Sequence, residues 1–398
     1  VISAVMPTYA RYDEAIERGE GVYLYTTDGR KLLDFGAGIA VASLGHCHPH
    51  LIETLKTQAE TLWHCSNLYD IPGQQKLAER LVANSFGNAV FFNNSGGEAV
   101  ELAVKMIRKY HSATGRPERF RVISVEGAFH GRSLAMISAG RQEKHTSGFG
   151  PLVDGFDQVA FGNLNEMCAA ITPETGGILV EPVQGEGGIR PMDAAYLRGL
   201  RSIAEEFGLV LAYDEVQCGI ARTGKLFAHE WSGVEPDVMA LAKGLGGGFP
   251  IGACVATEEI AAPMTAGSHG STFGGNPLAM AVSNAVLDVI LADGFLTEVR
   301  RISDFFRDQL EDLRDRHPEV LLAVRGMGLM LGIQCAGEAG ANGSMVSKLM
   351  EKGLLTVPAG DNVVRLIPPL IIDETHIGQA IGIIEKACRE IESEARER

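Results

Sequence analysis

Short apolar runs alternate with longer amphipathic stretches through the middle of the chain. The runs at residues 89–93, 121–125, 177–181, 210–214, 238–242 and 253–256 have the length and apolar content of buried strands. Between several of them the apolar positions fall at helical spacing, most clearly over 98–110 and 194–207. Strand and helix in alternation predict an α/β domain, a parallel or mixed sheet with helices on its faces. Past Asn276-Pro277 the texture changes. Helical spacing runs from about 278 to 291 and again from 296 to 314, and a mixed segment begins at Val320. This predicts a crossing into a smaller domain that the first forty or so residues join. The expected division is 1–45 and 286–398 for the smaller unit and 46–285 for the larger.

Composition narrows the function classes. A chain of 398 residues can divide a large core over two domains. Its 48 glycines fall largely in short clusters that end apolar runs, which suits loops that approach a ligand closely. Lys and Arg number 35 against 50 for Asp and Glu, a net charge of −15. That field repels polyphosphate backbones and anionic lipid, so neither nucleic acid nor membrane is expected as a partner. An anionic small substrate would need local arginines. The seven cysteines are scattered with no C-x-x-C pair, so neither a disulfide framework nor a thiolate metal site is expected. No apolar stretch reaches the length of a membrane span, and residues 1–10 hold no basic segment followed by an apolar run. The expected location is the cytoplasm.

Four segments carry candidate chemistry. Asn93-Asn94-Ser95-Gly96-Gly97-Glu98-Ala99 follows a predicted strand and opens a predicted helix. Ser95 and Glu98 have capping-box spacing, and two glycines at a positive helix end form an anion cradle. Lys243 ends an apolar run and faces Gly244-Leu245-Gly246-Gly247-Gly248. Poor solvation there lowers the pKa of the amine and makes it a better nucleophile. Asp214 ends another run, at the strand edge where open α/β sheets gather ligands. Its neighbour Glu215 must point to the opposite face while the strand holds. In Phe129-His130-Gly131-Arg132 an aromatic can stack on a flat ring and an Arg can grip a carboxylate with two bonds. Singly, each has a plain structural explanation: a helix cap, a snorkelling lysine, a loop aspartate, an ordinary loop.

Three other signals are set aside. His46-Cys47-His48-Pro49-His50 is rich in metal-ligand types, but Pro49 and the tight spacing make joint coordination awkward. Residues 219–225 have P-loop spacing, yet Leu226 stands where a hydroxyl should bind magnesium. Residues 326–332 miss the dinucleotide spacing by one position.

Taken in order, seven segments resemble the class III pyridoxal-phosphate-dependent aminotransferases through nearly the whole chain. They are Gly45-His46-Cys47-His48-Pro49, residues 95–99, Phe129-His130-Gly131-Arg132, residues 181–188, Asp214-Glu215-Val216-Gln217, Ala242-Lys243-Gly244, and residues 271–277. The resemblance implies the aspartate-aminotransferase type of fold (fold type I). Its large domain has a mixed, mostly parallel sheet, and its smaller α+β domain is built from both termini. It implies pyridoxal 5'-phosphate as cofactor, carried by Lys243. Ser95, Gly96 and Gly97 would hold the phosphate, Phe129 would stack on the ring, and Asp214 would keep the ring nitrogen protonated. Val216 would pack below the ring and Gln217 would approach its phenolic oxygen. Ser271 and Thr272 would reach across a homodimer interface, Thr272 to the phosphate and Ser271 to the substrate, so that the active sites are shared.

By the same resemblance Arg132 would bind a substrate carboxylate and Arg365 the second carboxylate of glutamate. Glu186 would neutralise Arg365 when the amine donor occupies the site. Gly97, Val100 and Ala221 depart from the residues usual at their positions, which touches phosphate geometry and not the reaction class. Residues 6–11, 38–41 and 64–69 are most similar to family members that move the side-chain amine of N2-acetyl-L-ornithine to 2-oxoglutarate. Ornithine, succinylornithine, succinyl-diaminopimelate and 4-aminobutyrate remain open as donors, as does an aminomutase or decarboxylase on the same cofactor. A non-catalytic binding protein is the third reading, against which Lys243 and Asp214 stand together.

Overall fold

The strand–helix alternation folds into one seven-stranded sheet in the computed structural model, which describes residues 4–338 and 340–397. Its order is Ala89–Asn93, Gly252–Ala256, Val238–Leu241, Val210–Asp214, Thr175–Val180, Arg121–Val125, Phe156–Val159. Gly252–Ala256 runs antiparallel to both neighbours, and all other pairs are parallel. This is the mixed, mostly parallel sheet expected of fold type I. The central strands are buried on both faces and read accordingly as unbroken apolar runs.

Boundaries differ from the expected ones in instructive places. The 177–181 run begins earlier, as Thr175–Val180, and leaves Glu181 beyond the strand, where its side chain is released for other bonds. The edge strand Phe156–Val159 was not anticipated. Its middle is polar because Asp157 faces outward to Arg121, with two contacts of 2.8 Å. The helix over 98–110 extends to Gly96–Ala113, with the Ser95 hydroxyl accepting from Glu98 N at 3.3 Å. The reciprocal half of the capping box is displaced by one residue: the Glu98 carboxylate accepts from Asn94 N at 2.6 Å instead of from Ser95 N. Helix Ala194–Phe207 lies where the spacing put it, stopped by Gly208 in a left-handed conformation.

Beyond the sheet, Pro277–Ile290 is an apolar helix in the main core, followed by the long amphipathic helix Phe295–Arg316. The latter packs on strand Leu321–Met327 and on the last helix, Glu374–Glu397. A second sheet has the order Leu321–Met327, Met330–Cys335, Val363–Leu366, Val357–Pro358. A third joins Ile16–Glu20, Tyr23–Thr26 and Lys31–Asp34 to Leu354–Leu355, so early and late chain share one ladder. Among the described residues no single helix is long and apolar enough to cross a membrane. The pair Pro277–Ile290 and Phe295–Arg316 has the length and composition only together, across a 70° bend. Residues 1–3 of the N-terminal segment read for a signal lie outside the described residues.

Candidate active site

The chemistry-bearing residues collect where the parallel strands end. Val238–Leu241 stops two residues before Lys243, which starts a single 3-10 turn, Lys243–Leu245. Lys243 takes a left-handed backbone, φ 45°, which costs a non-glycine residue on the order of 1 kcal/mol. Its ammonium lies on the wall of a cavity of about 330 Å³ and has no hydrogen-bond or ion-pair partner among the described residues. Burial, helped by the positive charge of Arg365, brings its pKa down from 10.5 to about 8; Glu186, Asp214 and Glu181 pull the other way. An amine so placed is free near neutral pH in a way an exposed lysine is not.

Asp214 and Glu215 point to opposite faces. Glu215, wholly buried, accepts from Ala228 N, His229 N and the His229 ring, and so holds loop structure. Asp214 lines the cavity, with Oδ2 at 2.8 Å from His130 Nδ1 and Oδ1 accepting from Val216 N at 3.0 Å. Burial works against a charge on His130, yet the hydrogen bond and charge of Asp214 outweigh it and the imidazole pKa is raised. Nε2 of His130 is buried without a partner among the described residues. Glu181 lines the same cavity. It accepts from Phe129 N at 2.9 Å and Gly185 N at 3.2 Å, and burial followed by the charge of Asp214 lifts it to about 7. The sequence motifs contain His130 and Glu181, but neither was assigned a role. The signal was their position beside an aromatic and at a strand end.

Of the residues expected to hold a cofactor, Ser95, Gly96, Gly97, Phe129, Asp214, Val216, Gln217 and Lys243 all line this one cavity. The expected phosphate cradle is the first turn of an 18-residue helix. A Cβ on Gly96 would stand 2.6 Å from Val216 Cγ1, so the absence of a side chain there is required. Gln217 has its oxygen committed to Arg365, at 3.2 Å.

Arg365 is 1% exposed and sits on strand Val363–Leu366. It pairs with Glu186 at 2.5 Å and donates to Pro358 O at 3.0 Å, while its Nε has no partner among the described residues. Burial would raise the Glu186 pKa, but Arg365 overrides it and holds the carboxyl below its usual range. The pair stands outside the cavity wall, close enough for both charges to act on Lys243. Arg132 is exposed, its guanidinium 5.5 Å from the Phe129 ring. Ser271 and Thr272 do not enter the Lys243 cavity of their own chain; they line a neighbouring one, where Asn94 donates to Ser271 Oγ at 3.1 Å.

The histidine-rich segment is divided between separate carboxylates, His46 with Asp34 at 2.8 Å and His50 with Asp288 at 3.0 Å. Among the described residues no three His, Cys, Asp or Glu side chains are grouped to hold a metal.

Comparison with known proteins places this geometry. A family model described as aminotransferase class-III matches residues 7–388. The acetylornithine aminotransferase of Brucella melitensis biotype 1 is 56% identical over 392 residues, 98% of this chain and 96% of that protein. That of Mesorhizobium japonicum is 57% identical over 387 residues, 97% and 96% of the two. Among solved structures, N-acetylornithine aminotransferase from Stenotrophomonas maltophilia K279a superposes with a TM-score of 0.85 at 35% identity, covering 98% of each chain. Ornithine aminotransferase from Toxoplasma gondii ME49 gives 0.93 at 31% identity, covering 98% of this chain and 94% of that one. With a lysine, an aspartate and a helix N-terminus around one cavity, and a family match that spans almost all residues, the chain belongs to the class-III aminotransferases.

Proposed function

We propose that the protein moves the side-chain amino group of N2-acetyl-L-ornithine to 2-oxoglutarate, giving N-acetyl-L-glutamate 5-semialdehyde and L-glutamate, with pyridoxal 5'-phosphate in the Lys243 cavity. The fit to that cofactor rests on an unpartnered buried amine, a glycine-opened helix N-terminus for the phosphate and a carboxylate facing the cavity. Bound there, the cofactor serves as an electron sink when its ring nitrogen is protonated, and Asp214, oriented by His130, would keep it so. Ser95, Gly96 and Gly97 would hold the phosphate, Phe129 and Val216 would sandwich the ring, and Gln217 would flank it. Lys243 Nζ, with a pKa of about 8, can take and return a proton at the substrate carbon that bears the amine.

One observation carries the two-substrate reading, the Arg365–Glu186 pair beside Lys243. A guanidinium satisfied by an internal carboxylate accommodates a substrate with one carboxylate, held by Arg132. When Glu186 moves aside, the same guanidinium accepts the second carboxylate of a dicarboxylate. The donor is read from relatives that are 56% and 57% identical and act on acetylornithine by name. The higher TM-score of the ornithine enzyme keeps ornithine as the second reading, though likeness of fold alone does not select a substrate.

We also read the protein as a cytoplasmic homodimer with shared sites. Trp63, Leu68, Tyr69 and Phe273 are 64%, 86%, 70% and 61% exposed. That much aromatic and aliphatic surface near Ser271 and Thr272 supports a partner subunit covering it and receiving their hydroxyls. The division into a large unit over 46–285 and a small one from both termini belongs to the same reading. The test is a panel of amine donors with 2-oxoglutarate, read as glutamate formed. Acetylornithine should rank first; a rank well below ornithine or 4-aminobutyrate discards it as the donor.

A further inference from the structure

Arg222 is 2% exposed, and with Arg365 it is one of the two largest fully buried side chains. Unlike Arg365 it has no carboxylate partner among the described residues. Its Nη1 donates to Leu329 O at 3.1 Å and to Pro368 O, and its Nη2 is buried without a partner among the described residues. Burial alone lowers its pKa to about 9, so it is charged at neutral pH and poorly compensated. An apolar side chain of similar volume would avoid that cost.

The two carbonyls it meets are related by sheet register. Met330–Cys335 and Val363–Leu366 pair antiparallel, with Gly332 opposite Arg365 and Leu331 opposite Leu366. Continued two pairs further, that register sets Leu329 opposite Pro368. Pro368 has no N–H, so the ladder cannot extend. Nη1 of Arg222 alone donates to both carbonyls at this end. Its own carbonyl accepts from Leu329 N at 3.0 Å. The approach is so close that a Cβ on Gly328, φ 59°, would stand 2.3 Å from the Thr223 carbonyl carbon. Five residues before Arg222 on the same loop, Gln217 accepts from Arg365 at 3.2 Å. One loop leading from Asp214 thus grips the Arg365 strand at two points, three residues apart.

We propose that Arg222 is a positioning residue: by capping the end of the ladder that carries Arg365, it fixes where that guanidinium meets the distal carboxylate of the dicarboxylate substrate. The proposal rests on the reading of Arg365 given above. Without Arg222 the segment keeps Ile367 N on Phe35 O at 2.8 Å and Leu370 N on Ser43 O at 2.7 Å but loses the contact at Pro368 between them, and displacements near 1 Å at a positioning group cost up to about a hundred-fold in rate.

The test compares wild-type holoenzyme with Arg222→Met and Arg222→Lys. The half-reactions with glutamate and with acetylornithine are followed separately by cofactor absorbance, and melting temperatures are taken with and without glutarate, a dicarboxylate that cannot exchange an amine. Both variants should show a KM for glutamate raised about ten-fold while that for acetylornithine stays within about two-fold, since a misplaced Arg365 weakens only the dicarboxylate. The stabilisation by glutarate should shrink in parallel. An unchanged glutamate KM in either variant overturns the proposal, as does an equal loss in both half-reactions. If Arg222→Met does not fold, Arg222→Lys decides alone, since it keeps the charge but its nitrogen ends one bond short of Nη1. A wild-type enzyme that neither exchanges amine with glutamate nor gains stability from glutarate would instead strike down the reading of Arg365.

Discussion

Replacing Glu186 by Gln separates the two substrates by sign. The contact to Arg365 is 2.5 Å, Arg365 has 2% of its side chain exposed and Glu186 21%. A hydrogen bond with both partners charged contributes roughly 1.5–3 kcal/mol, and partial exposure of Glu186 argues for about 2. On the proposed roles, a dicarboxylate must displace this bond in the wild type to reach Arg365. Glutamine keeps the volume and an acceptor but removes the charge, so most of that 2 kcal/mol no longer opposes the dicarboxylate. The expected result is a KM for glutamate and 2-oxoglutarate lowered by up to about thirty-fold. The amine donor suffers the reverse. Arg365 then presents an unneutralised cation near Lys243, and the kcat/KM for acetylornithine should fall by a comparable factor. Single half-reactions, followed by cofactor absorbance at saturating and limiting substrate, give both numbers. A parallel decline in the two half-reactions, or a glutamate KM that does not fall, refutes the gate.

Two further outcomes follow from the cavity itself. In cofactor-free protein Lys243 has a pKa of about 8 against 10.5 for a free lysine, so below pH 8 the native state bears the whole cost of the buried charge. Between those values the unfolded chain holds more protons and stability rises with pH. Lys243→Met should therefore be more stable than wild type by up to about 3 kcal/mol at pH 7 in denaturant melts. That advantage should fade from pH 8 to 10.5; an advantage constant with pH contradicts it. Adjacent glycines give the second contrast. Gly96→Ala meets Val216 at 2.6 Å and should lose cofactor affinity, whereas Gly97→Ala finds nothing nearer than Gly131 Cα at 3.7 Å. The latter should keep activity and gain up to about 1 kcal/mol in thermal or denaturant melts.

What the sequence disclosed depended on range. Strands that end in chemistry, such as Val210–Asp214 and the run before Lys243, were legible because buried parallel strands are unbroken apolar runs closed by one polar residue. Phe156–Val159 was not, since an edge strand with Asp157 turned to Arg121 lacks that pattern. Pairing Lys31–Asp34 with Leu354–Leu355 joins segments some 320 residues apart, and local spacing carries no information on such register. The Arg365–Glu186 contact came from resemblance alone. Arg222 stands within the false P-loop spacing and just after the unusual Ala221, and neither gives it a role, although a proline pair just after the Arg365 strand marks where a ladder must stop.

The buried acids around Lys243 differ in what holds them. Asp214 faces an imidazole at 2.8 Å and one amide, whereas Glu181 has two amides and, behind them, burial and the charge of Asp214. Its pKa of about 7 exceeds the 4.5 of a free glutamate, so between those values the native state binds the extra proton and stability falls as pH rises. Lys243 moves the other way, losing its cost as pH rises past about 8. When Glu181 is ionised, its charge makes the ammonium of Lys243 less costly. When Glu181 is protonated, Lys243 faces Arg365 with less help. The free amine on which the proposed chemistry depends is therefore more available as pH rises past about 8, and a negative Glu181 moves its onset toward higher pH. That makes Glu181, which accepts from two backbone amides and lines the Lys243 cavity, a control on the acid limb of activity.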